Sequence, residues 1–320
     1  MTRFLAARAL QSAAVLAAMS FAVYVLMGLM PGDPIDLMIA ADPKLTPEDA
    51  ARLRALHGLD RPILARYADW LLLALQGDFG YSRLMSRPVP DAIAPALLNT
   101  LQLMGAAFAL SLLLGLPAGI LAGARPRSGL DYAVNAFAFA GISIPSFWLG
   151  ILLIIIFAVL LGVLPAGGLG IGAGGFAETL RHLALPVATL AVAGIAGQAR
   201  YMRAAMAETL RQDYIRTARA KGAGEARVVL GHALRNALIP VATVIALDFG
   251  TLFSGALVTE TIFAYPGMGR LIYDAVMGND FNLALVALLF ATLLTLLANL
   301  AADAAYVALD PRVSFEERDA

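Results

Sequence analysis

The chain has 320 residues, 60% of them hydrophobic and only 14% charged, and its mean hydropathy of +0.77 excludes an ordinary soluble domain in favour of an integral membrane protein. The formal net charge is zero and cysteine is absent, which excludes a disulfide framework, a thiolate metal site and thiol redox chemistry. The three histidines, His57, His182 and His232, are scattered and suit loop or helix-end positions better than a bound metal.

The apolar run from Ala9 to Met30 follows Arg3 and Arg8. It is long enough to span a bilayer and exceeds the ~7–15 residues of a signal-peptide core. It ends in Pro-Gly-Asp-Pro without a small-residue cleavage pattern, so residues 1–30 are read as an N-terminal segment and an uncleaved first membrane helix. Residues 31–95 form the large polar stretch, expected to make a small extracytoplasmic cap. Within it Thr46-Pro-Glu-Asp offers a cap residue, a proline at the first helical position and acids in the first turn, which together mark a helix start. Arg66 to Leu75, carrying Trp70, reads as a second short helix.

Leu97 to Gly123 is the second span, with Gly115, Gly119 and Gly123 at four-residue spacing. In lipid, small residues in register let two backbones approach, so this stripe is expected to be a helix-packing face, with Pro117 a tolerated kink. Val134 to Leu161 is the third span, interrupted by Pro145, and a glycine-rich loop runs on to His182. In that loop Gly170-Ile-Gly-Ala-Gly-Gly175 has the form G-x-G-x-x-G but lacks the strand-turn-helix setting of a dinucleotide site. Leu183–Ala199, Ala237–Phe263 and Leu283–Leu309 complete an all-α polytopic fold of six membrane helices, one N-terminal helix plus a five-helix core in residues 96–309, with a tail at 310–320.

Between Arg200 and Arg235 stand seven arginines and one lysine against Glu208, Asp213 and Glu225. So positive a connection belongs on the cytoplasmic side, and with Arg125, Arg127, Arg312 and Arg318 it places both termini inside. Tyr214 to Lys221 favours helix, Gly222 and Gly224 interrupt it, and Ala226 to Ala237 resumes a helical alternation. The segment 200–236 therefore reads as a water-facing helix, turn and helix. A solvated loop that only sets topology is the plainer reading; the small residues Thr217 and Ala218 before Gly222 favour a docking surface.

The wording Tyr214-Ile-Arg-Thr-Ala-Arg-Ala-Lys-Gly222 and His232-Ala-Leu-Arg-Asn236 resembles the cytoplasmic coupling loop of ABC importer permeases, in the dipeptide, oligopeptide and nickel branch of that family. Against the general family pattern, Gly222, Ala218 and Leu234 agree, whereas Arg216, His232 and Arg235 replace the usual acid, isoleucine and proline. Further resemblance runs through Pro31-Gly-Asp-Pro34, Gly77-Asp-Phe-Gly-Tyr-Ser82, Thr259-Glu-Thr-Ile-Phe263, Pro266-Gly-Met-Gly269 and Asp310-Pro-Arg312, nearly the whole chain. It implies a permease subunit in a bacterial inner membrane, importing peptides, glutathione or nickel chelates. It also implies a second, similar permease, two ATPase subunits that carry ATP and Mg, and an extracytoplasmic substrate-binding protein. On this resemblance Tyr214, Arg216, Thr217, Ala218, Arg219, Lys221, Gly222 and Leu234 form the ATPase-coupling loop.

The chain itself has no phosphate-gripping loop: its lysines are Lys44 and Lys221, neither in a G-x-x-x-x-G-K-[ST] setting. It is not read as an enzyme, no cofactor, metal or nucleic acid is expected on it, and its other surroundings are membrane lipid. Asp248 is the acid near the middle of a span, and intramembrane acids are functional candidates because their desolvation is costly. With Thr251 and Ser254 it is a translocation-pathway candidate; pairing with a neighbouring helix is the alternative. A secondary transporter would show an internal repeat and coupled intramembrane charges, and an intramembrane protease would need two juxtaposed acids or a Ser/His pair at depth. Neither pattern is evident.

Overall fold

The computed structural model describes residues 2–29, 60–170 and 175–309, together with residues 48, 52 and 55. The helix start expected at Thr46, the loop residues 171–174 and the tail from 310 lie outside them. The elements in chain order are α1 (Thr2–Gly28), α2 (Ile63–Leu75), a hairpin of β1 (Tyr81–Ser82) and β2 (Arg87–Pro88), α3 (Val89–Ala124), α4 (Gly129–Ser143), α5 (Ser146–Leu153), α6 (Gly175–Thr209), α7 (Asp213–Ala220), α8 (Glu225–Arg227), α9 (Leu234–Ile262), α10 (Met268–Met277) and α11 (Phe281–Leu309). Wider π-helical turns continue α5 through Ile154–Leu160 and join α8 to α9 through Val228–Ala233.

Among the described residues five helices are long and apolar enough to cross a membrane, and the pair α4–α5 makes a sixth if its limbs count as one span. The chain is thus an all-α polytopic membrane protein. The third span departs from the expectation of one interrupted helix, because its limbs meet at 103°. The cause is Pro145, whose ring disfavours helical backbone in the preceding residue; Ile144 is extended, with φ −81° and ψ 122°. Pro186 and Pro240, by contrast, lie inside α6 and α9 without ending them.

Helix α6 has 35 residues, well beyond the ~20 needed to cross a bilayer. Met202, Met206 and Thr209 repeat at helical spacing and are buried, so the apolar stripe carries the helix past the predicted end at Ala199. Residues 200–209, expected in the water-facing loop, are the last turns of α6.

Two compact units emerge, one built on Asn99–Pro266 and one on Ala6–Leu98 with Gly267–Leu294. In the second, an aromatic cluster joins α1, α2 and α11. The Tyr24 ring meets Tyr67 at 5.5 Å and Phe281 at 5.3 Å, both edge to face, and Phe21 meets Tyr67 at 5.2 Å. The hairpin, which the sequence reading did not anticipate, pairs Tyr81 with Pro88 and Ser82 with Arg87.

Asp280 ties this hairpin to the start of α11. Its Oδ1 accepts the Leu283 amide at 3.2 Å, as a helix cap does, while Oδ2 accepts from the Ser82 hydroxyl at 2.6 Å and the Leu84 amide at 2.9 Å. Asp280 and Ser82 are both buried, so truncation removes a cap worth about 1 kcal/mol and strands donors costing roughly 1–3 kcal/mol more. Asp280→Ala is therefore expected to lower the melting temperature of the purified protein, and Asp280→Asn, which keeps an acceptor, to lower it less. Equal melting of wild type and the alanine variant would show that the carboxylate carries no such share.

Candidate functional site

In the larger unit, α7 is a short amphipathic helix held between two long ones. Gln212 precedes it in extended backbone and Asp213 opens its first turn, where a negative charge suits the helix dipole. Ile215 is fully buried in a cluster with Met202 and Met206 of α6, Val228 and Ala233 of the π-helical turns, and Ala237 and Val241 of α9. Ala218, Ala223 and Leu234 pack against the same cluster, half-buried. Tyr214, Arg216 and Thr217 on the other side of the helix, and Arg219 and Lys221 at its end, are all exposed.

The turn after α7 is closed by backbone bonds. The Ala223 amide donates to the Ala218 carbonyl at 3.1 Å and the Gly222 amide to the Arg219 carbonyl at 2.9 Å, the paired bonds of a Schellman motif. Its left-handed residue is Gly222, with φ +81°. Arg219 grips Glu225 across this turn through two bonds, Nε at 3.2 Å and Nη2 at 2.6 Å. The Glu225 carboxylate also holds the Arg219 guanidinium above its ordinary pKa. Asn236 donates to the Tyr214 hydroxyl at 3.0 Å, a further link from α7 to α9.

Of the residues read as the coupling loop, the structure thus divides two groups. Ala218 and Leu234 turn inward as packing residues, and Tyr214, Arg216, Thr217 and Lys221 make the outward surface. Ile215 anchors the helix and was missed. As an apolar residue among charged neighbours it was the available signal.

The glycine stripe of α3 meets α6 directly. A Cβ on Gly115 would lie 3.0 Å from the Ile195 carbonyl oxygen, on Gly119 2.6 Å from that of Ala199, and on Gly123 2.7 Å from that of Arg203. Such separations exist only because α3 carries no side chain along this ridge, which lets the backbone of α6 come close. The stripe brings α3 against the part of α6 that carries Gln198, Met202 and Met206.

Asp248 sits half-buried on α9 and accepts a hydrogen bond from Gln198 Nε2 at 2.7 Å. The two residues share the wall of a cavity of 310 Å³, whose other polar lining among the described residues is Ser111, Ser146, Thr189 and Tyr201. Thr251 and Ser254 continue α9, but their side chains lie outside the described residues. Gln198, buried inside the fourth span, was not singled out from sequence because an amide carries no charge to betray it.

Two further buried acids have partners distant in sequence. Asp131 accepts from Arg203 through Nε and, at 2.8 Å, through Nη2, and also from the Arg127 amide at 2.8 Å and Asn135 at 2.8 Å. Arg203, counted with the water-facing cations, is thus committed to an interhelical ion pair. Glu260, fully buried, accepts from the Thr100 hydroxyl at 2.5 Å and so joins α9 to α3.

Known proteins share this organisation. The family model for the inner membrane component of binding-protein-dependent transport systems matches residues 115–315, and the model for its N-terminal part matches residues 1–100. The oligopeptide transport system permease protein AppB of Bacillus subtilis (strain 168) is 38% identical over 318 residues, covering 98% of this chain and all of that one. The glutathione transport system permease protein GsiC of Escherichia coli O1:K1 / APEC is 38% identical over 297 residues, 93% of this chain and 94% of that one. The inward-facing MetNI methionine ABC transporter superposes with a TM-score of 0.53 at 21% identity, over 68% of this chain and 95% of its own, a likeness of fold. The chain belongs to the inner-membrane components of binding-protein-dependent transport systems, and is a multi-pass permease of the ABC importer class.

Proposed function

We propose that this chain forms half of the translocation pathway of an importer for peptides and couples it, through α7, to ATP hydrolysis on partner subunits. The observation that carries the reading is the seating of α7. One face is locked by Ile215 into a cluster shared by α6 and α9, and the other presents Tyr214, Arg216, Thr217 and Lys221. A push on the exposed face is thereby delivered to two membrane helices at once, which is what a rigid coupling element requires.

The peptide class is supported by the names of the relatives, since glutathione is itself a small peptide. The partners in this reading are a second, similar permease, two ATPases holding ATP and Mg, and an external binding protein. The basic connections support a cytoplasmic side for α7 and both termini. The experiment is purification of the tagged chain from membranes, followed by reconstitution into liposomes. ATPase subunits should accompany it, and labelled di- and tripeptides should enter only with ATP on the α7 side and the binding protein opposite. Purification without ATPases, or uptake driven by an ion gradient alone, would overturn the reading.

A further inference from the structure

We propose that the cavity bordered by α3, α6 and α9 is a transit site for a primary ammonium group of the transported molecule, with Asp248 as its counter-charge. This deepens the import reading above and rests on it. The Asp248 carboxylate offers acceptors only. Gln198 commits one Nε2 hydrogen to Asp248 at 2.7 Å, and its Oε1 lies buried beside the cavity as an acceptor without a donor.

Two of the hydroxyls on the wall have already spent their protons. Ser111 donates to the Phe108 carbonyl and Thr189 to the Leu185 carbonyl, each at 2.8 Å, so both hydroxyls are left as acceptors. Among the described residues no lysine, arginine or histidine lines the cavity, and the side-chain donors left are the Ser146 and Tyr201 hydroxyls and the second Nε2 hydrogen of Gln198. A wall so weighted toward acceptors, with one acid in it, is matched by a group that brings three donors and a positive charge. A carboxylate would meet like charge and no cation. A bound divalent ion would call for several oxygen ligands of higher charge than one acid supplies. Phe108, Leu190 and Ala193 on the remaining wall suit the aliphatic stem behind an ammonium.

An α-amino terminus and a lysine side chain present the same chemistry, and the experiment separates them. The chain is purified with the subunits it retains, placed in nanodiscs without nucleotide, and probed by saturation-transfer NMR, which reads weak binding. The probes are dialanine, N-acetyl-dialanine and N-acetyl-lysine amide. Dialanine should bind saturably and its acetylated form should not. Asp248→Asn should weaken dialanine by about tenfold or more, the loss of one charge-assisted hydrogen bond. Binding of N-acetyl-lysine amide as well would widen the site to side-chain ammonium groups, and its absence would restrict the site to amino termini.

Equal binding of dialanine and N-acetyl-dialanine, or undiminished binding by Asp248→Asn, overturns the proposal and returns Asp248 to a structural pair with Gln198. Should Asp248→Asn fail to assemble, Ala193→Leu fills the cavity and leaves the charge in place. Unchanged dialanine binding by that variant overturns the proposal equally. Peptide uptake by the same complex, reconstituted into liposomes with ATP and the binding protein, reads the other hypothesis: dialanine that binds but is never imported counts against peptide import and leaves the ammonium site standing.

Discussion

Replacing Gly222 with valine is expected to abolish uptake and strip the ATPase subunits from the complex while the chain stays inserted in the membrane. Gly222 has φ +81°, a region costly for any residue with a Cβ and most of all for a β-branched one. Nothing lies within 4 Å of the position its Cβ would take, so the effect comes from the backbone and not from crowding. Holding valine there costs about 1–3 kcal/mol, and the turn relieves it by giving up the bonds from Ala223 and Gly222 to the end of α7. Ala218 and Ala223 then leave the cluster around Ile215, and the outward face of α7 loses its fixed relation to α6 and α9. Gly222→Asn is the control, because asparagine enters the left-handed region readily, and it should retain most activity. The measurements are co-purification of the ATPases and peptide uptake. Retention of both by the valine variant would remove α7 from the coupling role.

The second large effect is expected at Gly119, where valine should reduce both the yield of folded protein and its melting temperature. A Cβ there would lie 2.6 Å from the Ala199 carbonyl oxygen and from Met202 Cβ, and 3.0 Å from the Arg203 amide. Two of these contacts are backbone, so relief requires a shift of α6 itself. Overpacking costs about 1–3 kcal/mol in ordinary cores. Here the loss is felt more widely, because in lipid the contact of helices depends on close packing and not on removal of apolar surface from water. The displaced residues include Met202, which belongs to the cluster that seats Ile215, so coupling should fail along with stability. Gly105→Val on the same helix is the comparison, since nothing lies within 4 Å of its Cβ position. Equal melting of the two variants would show that the glycine stripe is not a packing face.

The membrane class, the approximate places of the apolar helices, the turn at Gly222 and the alignment of Gly115, Gly119 and Gly123 on one ridge are all legible along the chain. All of these depend on composition, on helical periodicity or on the conformational preference of one residue, and each acts over a few positions. What that ridge meets follows from the packing of α3 on α6. The partners that matter are far apart: Gln198 and Asp248 are 50 positions apart, Asp131 and Arg203 72, and Thr100 and Glu260 160. Such pairs follow from the rotation of each helix about its axis, which no local pattern records. The same holds for the prolines, since Pro186 and Pro240 stay within helices whereas Pro145 ends one and turns the chain through 103°. It holds also for α7, where a run of charges marked the helix as water-facing but the cluster formed by α6 and α9 decided that Ile215 and Ala218 would face inward.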